Sequence, residues 1–185
     1  MGNEDADDNE VILGFDPGLT DCGFAVMIGN DIVDSGLIGV KPIKKKANLH
    51  FACDFSVRLE MLSRRIRKIM RCHKPDIVVY EAVSMLRSAT SSAKLWSGAA
   101  AVISQCVAWN IPLRPVLHEE VDEWLGESNL GRSQRKAEIR KKVEKEWPNH
   151  EWPRKPRKRT IIQHAADAAA VAAAARRLKL IKVRW

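Results

Sequence analysis

Residues 11–30, VILGFDPGLTDCGFAVMIGN, hold two apolar runs separated by an Asp-Pro-Gly turn. Val11 to Phe15 is apolar throughout, which predicts a strand buried on both faces rather than one with a solvated side. Asp16, Pro17 and Gly18 end that run and leave a carboxylate at the strand terminus. Cys22 to Ile28 reads as a second strand, Gly29-Asn30-Asp31 as a tight turn and Ile32 to Val40 as a third strand. These three make an antiparallel meander whose first member stops at an acid.

A second buried strand ends the same way. His73-Lys74-Pro75-Asp76 closes a helix and opens Ile77 to Tyr80, which finishes at Glu81. The preceding helix, Phe51 to Cys72, repeats Phe55, Leu59, Leu62, Ile66, Ile69 and Met70 at helical spacing. Arg64, Arg65, Arg67, Lys68 and Arg71 occupy much of its other face, which reads as solvated. Ser84 to Ser92 reads as a loop beside Glu81. A largely apolar helix follows from Ala93 to Trp109, and its Gly98 and alanines permit close packing in the core or at a subunit interface. Ile111 to Leu117 gives a further strand of the parallel type, followed by His118 and a short helix, Glu119 to Leu125.

Beyond the loop Gly126 to Gly131, Arg132 to Trp147 reads as a charged helix. Pro148 to Arg159 contains three prolines and a basic run, so it reads as a loop or extended strap rather than regular structure. Ile161 to Leu178 is alanine-rich, a strong helix former with a surface suited to tight packing on a sheet. The 185 residues divide into an acidic arm, 1–10, one domain, 11–180, and a short tail, 181–185.

The net charge is +8, from 31 Lys and Arg against 23 Asp and Glu. Since five of the first ten residues are acidic and none is basic, the body is more basic still, which favours a polyanionic partner without naming a reaction. Cys22, Cys53, Cys72 and Cys106 form no CxxC pair, which argues against a zinc cluster or redox dithiol and for buried thiols in a reducing compartment. Neither a signal peptide nor a long apolar span is read, so the expected location is the cytoplasm of a bacterial or virus-infected cell, with no membrane.

Asp16, Glu81 and Asp167 are the residues of chemical interest, together with His164, three positions before Asp167 and on the same side of the helix. Phosphodiester hydrolysis needs an activated oxygen nucleophile, neutralised transition-state charge and a stabilised leaving oxygen. Two divalent ions about 4 Å apart supply all three. Taken singly, Asp16 is equally suited to a turn, Glu81 to an exposed strand end and Asp167 to a solvent-facing helix position. Their joint occurrence on a basic chain points to a metal-dependent nuclease.

ILGFDPGLTDCGFAV, PDIVVYEAV and HAADAAAVA, in this order, resemble the RuvC family of Holliday-junction resolvases over most of residues 11–178. The resemblance implies an α/β, ribonuclease H-like fold with a central mixed five-stranded sheet and helices on both faces. It implies that Asp16, Glu81, His164 and Asp167 are catalytic and bind two Mg²⁺ or Mn²⁺ ions. It further implies a homodimer, here through the helix near 93–109, that nicks opposing strands of four-way or branched DNA symmetrically. Relatives often carry aspartate at the position of His164, and a neutral imidazole is a softer ligand, so Mn²⁺ is expected to support more activity than Mg²⁺. Relatives often have an aromatic wedge after the strand glutamate; here Met85 or Leu86 would serve.

Phosphate contacts are expected from Lys44, Lys45 and Lys46, from Arg87 and Lys94 beside the Glu81 loop, and from Arg132, Ser133, Arg135 and Lys136. The strap residues Arg154, Lys155, Arg157, Lys158 and Arg159 are the foremost candidates because they lead directly into His164. His118, at a strand end, can contact phosphate or serve as an ordinary hydrogen-bonded histidine. Other readings stay open: a related nuclease for branched DNA or RNA–DNA hybrids, a noncatalytic junction-binding protein, or an actin-like ATP-binding domain using DPGLTDCG as a phosphate loop.

Overall fold

The protein's structure, a computed structural model, describes residues 9–42, 51–82, 89–127, 130–155 and 161–179. In chain order the elements are β1 (Val11–Asp16), β2 (Asp21–Ile28), β3 (Asp31–Gly39), α1 (Phe51–His73), β4 (Ile77–Glu81), α2 (Ala89–Ala108), β5 (Leu113–Val116), α3 (His118–Leu125), α4 (Arg132–Glu146) and α5 (Gln163–Arg177). The strands form one five-stranded sheet in the order β3-β2-β1-β4-β5. The β1–β2 and β2–β3 pairs are antiparallel, while β4 and β5 add in parallel. This is the mixed sheet of the ribonuclease H-like fold, with helices on both faces.

The hairpin between β2 and β3 turns on Gly29, whose φ of 58° suits a residue without a Cβ. One face of the sheet packs on α1 and α2 through Leu13, Phe15, Leu62, Ile66 and Val102. The opposite face packs on α3, α4 and α5 through Ile12, Val79, Trp124, Val143 and the alanines of α5. Both sides of β1 and β4 are therefore covered, as unbroken apolar runs require.

Three expectations are corrected: the starts of two helices and the burial of two cysteines. The helix after Glu81 begins at Ala89, four residues before Ala93, because Ser, Thr and Ala suit a first helical turn as well as a loop. The described part of the proline-rich strap has the expected loop and extended character: Arg154 and Ile161 form an isolated antiparallel bridge, and the Ile162 N–H donates to the Pro153 carbonyl at 2.8 Å. That pairing delays the start of α5 to Gln163. Cys22 and Cys106 are buried, but Cys53 and Cys72 lie exposed on the polar face of α1. Trp96 and Trp109 are 50% and 40% exposed, whereas Trp147 and Trp152 are buried. The Trp147 indole donates to the Asn30 carbonyl at 2.7 Å.

Candidate metal centre

The pleat of the strands sets the first two ligand candidates. Ile12 of β1 and Ile77 and Val79 of β4 face α5, whereas Leu13, Phe15, Val78 and Tyr80 face α1 and α2. Since side chains alternate with a period of two, Asp16 and Glu81 fall on the α5 face. The parallel register pairs Phe15 with Tyr80, so the next residues, Asp16 and Glu81, stand side by side where the two strands end.

Two glycines bring α5 down onto the sheet. A Cβ at Gly23 of β2 would coincide with the His164 carbonyl, and one at Gly14 of β1 would collide with the Ala168 carbonyl. Backbone thus packs on backbone, and the small alanine side chains of α5 fit the remaining space. The close approach lowers His164 and Asp167 onto the acids at the strand ends. Asp16, His164 and Asp167 each offer a ligand atom, and these atoms lie within 4.8 Å of one another. The His164 Nδ1 is 2.5 Å from Asp16 Oδ2.

Burial pushes the Asp16 carboxyl up to about 6, against the opposing hydrogen bond of His164, and the neighbouring charge of Glu81 raises it further. Burial likewise drives Asp167 up to about 7, helped by the charges of Asp16 and Glu81 and opposed by the Gln163 hydrogen bond. His164 is raised by its hydrogen bond to Asp16. At Glu81 burial also favours the neutral acid, but the His118 hydrogen bond and charge, the Asp16 hydrogen bond and the charge of Lys136 together hold it below its ordinary value. His118 is raised by the same bond, its Nδ1 lying 3.0 Å from Glu81 Oε1.

The donor set fits a divalent cation. Three converging carboxyl groups and one imidazole present hard oxygen ligands with one nitrogen, and their mutual repulsion is what a cation relieves. The structure groups Asp16, His164 and Asp167, with Glu81 flanking Asp16 and turned toward His118.

A model of the family described as Crossover junction endodeoxyribonuclease RuvC matches residues 12–136. The chain belongs to the RuvC family. RuvC relatives include the crossover junction endodeoxyribonuclease RuvC of Citrifermentans bemidjiense, 30% identical over 107 residues, an alignment covering 56% of this chain and 60% of the relative. That of Alkalilimnicola ehrlichii is 28% identical over 128 residues, covering 66% and 72%. The chain thus spans about three fifths of the length of the first of these relatives. Among solved structures, Thermus thermophilus RuvC in complex with a Holliday junction substrate superposes with a TM-score of 0.69 at 18% identity, over 95% of this chain and 98% of that one. The yeast mitochondrial Holliday junction resolvase gives 0.62 at 14% identity, over 93% and 80%. At these identities the superpositions establish the RuvC fold. The family match ends at Lys136, so the placement of His164 and Asp167 beside Asp16 rests on the packing of α5.

Several expected DNA contacts lie outside the described residues of this RuvC chain: Lys44, Lys45, Lys46, Met85, Leu86, Arg87, Arg157, Lys158, Arg159 and the Arg132 side chain. Lys94, Ser133 and Lys155 are exposed, and Arg154 pairs with Glu144 at 3.2 Å. Arg135 is engaged in a two-pronged contact with Asp122, Nε to Oδ1 at 2.6 Å and Nη2 to Oδ2 at 2.5 Å, which ties α4 to α3. Lys136 acts electrostatically on both Glu81 and Asp167, so its face of α4 borders the site.

Three residues escaped the sequence reading. Gln163 donates to Asp167 Oδ1 at 2.6 Å, and its position one turn before Asp167 was a legible signal. Arg140, which donates to Gln163 Oε1 at 2.7 Å, is visible only in the tertiary structure. Arg58 is 4% exposed and braces the turn after β1, donating to Thr20 Oγ1 at 2.6 Å and to the Val40 carbonyl at 3.3 Å. Gly98 of α2 packs against that turn, since a Cβ there would lie 2.9 Å from the Gly18 nitrogen. The amide of Gly18 is thereby covered by protein, which disfavours DPGLTDCG as an open phosphate loop.

Proposed function

We propose that this chain is a metal-dependent, structure-selective DNA endonuclease that resolves four-way junctions by paired symmetric nicks. The observation that carries the reading is the convergence of Asp16, His164 and Asp167, flanked by Glu81, at one edge of a RuvC-family sheet. Asp16, Glu81, His164 and Asp167 would hold two divalent ions, Mg²⁺ or Mn²⁺. Such ions supply Lewis-acid charge neutralisation for phosphodiester hydrolysis. The carboxyl groups create the negative potential that recruits cations, and His118 holds Glu81 ionised and oriented. Lys136, whose charge acts on both Glu81 and Asp167, is assigned as a phosphate contact at the rim of the site, while Arg135 braces the helix that carries it.

The remaining phosphate contacts are assigned to Lys44–Lys46, Arg87, Lys94, Arg132, Ser133 and the strap Arg154–Arg159, a mainly electrostatic grip that depends on salt. Met85 and Leu86 are assigned as the wedge at the branch point. A homodimer through α2 is supported by Trp96 and Val107, 50% and 75% exposed and three turns apart on one face of that helix. No helix among the described residues is long and apolar enough to cross a membrane, and the free cysteines suit a reducing cytoplasm.

The test is cleavage of labelled four-way junction, Y-fork and linear duplex in Mg²⁺ and in Mn²⁺, with Asp16→Asn alongside. Symmetric junction nicks that disappear in the variant are expected. Tight junction binding without metal-dependent cleavage would instead identify a noncatalytic binding protein, and preferred cutting of the fork a different branch specificity.

A further inference from the structure

The metal site is coupled to α4 by two hydrogen bonds that none of the proposed ligands makes with another. Gln163, the first residue of α5, is 9% exposed. Its amide nitrogen donates to Asp167 Oδ1 at 2.6 Å, and its amide oxygen accepts from Arg140 Nη1 at 2.7 Å. Arginine has donors and no acceptor, so the face of the amide toward Arg140 must be the carbonyl. The face toward Asp167 is then necessarily the donor. Arg140 therefore decides which end of Gln163 meets the carboxylate.

We infer that Gln163, oriented by Arg140, is a positioning residue that occupies one oxygen of Asp167 and reserves the other for a divalent cation. The inference rests on the metal-centre reading of the site. The chemistry explains why an amide stands there. A buried carboxylate left without a donor is costly, yet a lysine or arginine in direct contact would neutralise the charge that a cation needs. A neutral donor satisfies the oxygen and leaves the negative charge intact. The guanidinium of Arg140 remains one amide away, attached to the same helix as Lys136 one turn earlier.

The experiment is Mn²⁺ binding to the full chain without DNA, followed by electron paramagnetic resonance, for wild type, Gln163→Met and Arg140→Met, with melting curves to verify folding. Gln163→Met removes donor and acceptor at similar volume and is expected to weaken Mn²⁺ binding by about 10–100-fold. Arg140→Met is expected to weaken it by a smaller factor, because the amide can then present either end. Junction cleavage by Gln163→Met should rise toward wild type as Mn²⁺ is increased, which a general loss of structure would not allow. Wild-type affinity in folded Gln163→Met overturns the inference. If that variant does not fold, unchanged affinity in Arg140→Met overturns it. A wild-type chain that binds no Mn²⁺ overturns the metal reading itself, and the two failures are thereby distinct.

Discussion

Gly23 of β2 lies directly beneath the main-chain carbonyl of His164, with no space between them for a Cβ. The height of α5 above the sheet is set at this point, and with it the reach of His164 and Asp167. Gly23→Ala is expected to destabilise the fold by about 1–3 kcal/mol through overpacking, and to reduce metal binding more than its effect on stability implies. Denaturant melts combined with Mn²⁺ titration of the folded variant check both parts. A variant that keeps wild-type Mn²⁺ affinity would show that α5 is positioned elsewhere.

The stability of the metal-free protein should fall as pH rises from 5.5 to 8. Asp16 and Asp167, raised to about 6 and about 7, hold protons in the folded state that the unfolded chain has already released. Their ionisation therefore destabilises the fold as pH climbs through those values. His164 and His118, both raised by carboxylate partners, act in the same direction: their stabilising contribution is complete below the unfolded value of 6.5 and is lost as pH rises through the folded one. Glu81, held low, contributes at the other end, losing its stabilisation as pH falls below its ordinary 4.5. Asp167→Asn keeps an acceptor for Gln163 while deleting the charge, and should raise the metal-free melting temperature at pH 8 by ~4 °C or more. A melting temperature equal to or below that of wild type would contradict this account.

His118→Ala removes the donor that opposes the burial of Glu81. Glu81 then takes up a proton more readily, and metal binding at pH 6.5 should weaken by about 10-fold, with a smaller loss at pH 8.5 where the acid is ionised in either protein. Isothermal titration with Mn²⁺ at the two pH values measures the difference. An equal loss at both would mean that His118 acts on position rather than on charge.

As a proposed ligand, His164 would bring one nitrogen into an otherwise oxygen-rich set. Junction cleavage at saturating metal is expected to be several-fold faster with Mn²⁺ than with Mg²⁺, since imidazole suits the softer ion. His164→Asp should narrow that ratio. Equal rates in the wild type would remove the argument from ligand softness.

Much of this arrangement can be read from local pattern. The apolar runs before Asp16 and Glu81 mark strands covered on both faces, and the alanines around Asp167 mark a helix able to lie close to a sheet. What local pattern does not contain is the register between β1 and β4. Hydrophobic runs report that residues are buried, not which neighbour each one faces, and the side-by-side placement of Asp16 and Glu81 follows only from the pairing of Phe15 with Tyr80. Gly23 shows no turn chemistry and gains its meaning from a helix some 140 residues later. The charge of Arg135 resembles a phosphate contact in the sequence, and only the fold shows it facing Asp122. The start of α2 at Ala89 is not legible locally, because Ser and Thr serve loops and first helical turns alike.

Asp16 and His164 touch across a separation of 148 positions. Asp16 leaves the ribosome 148 residues before His164, so the strand end acquires its contact with α5 only after that helix has been made and seated on its glycines. A chain that has formed most of its sheet but not α5 therefore still lacks two of the four residues proposed to hold metal, so this site is assembled by tertiary packing and not by any one stretch of newly made chain.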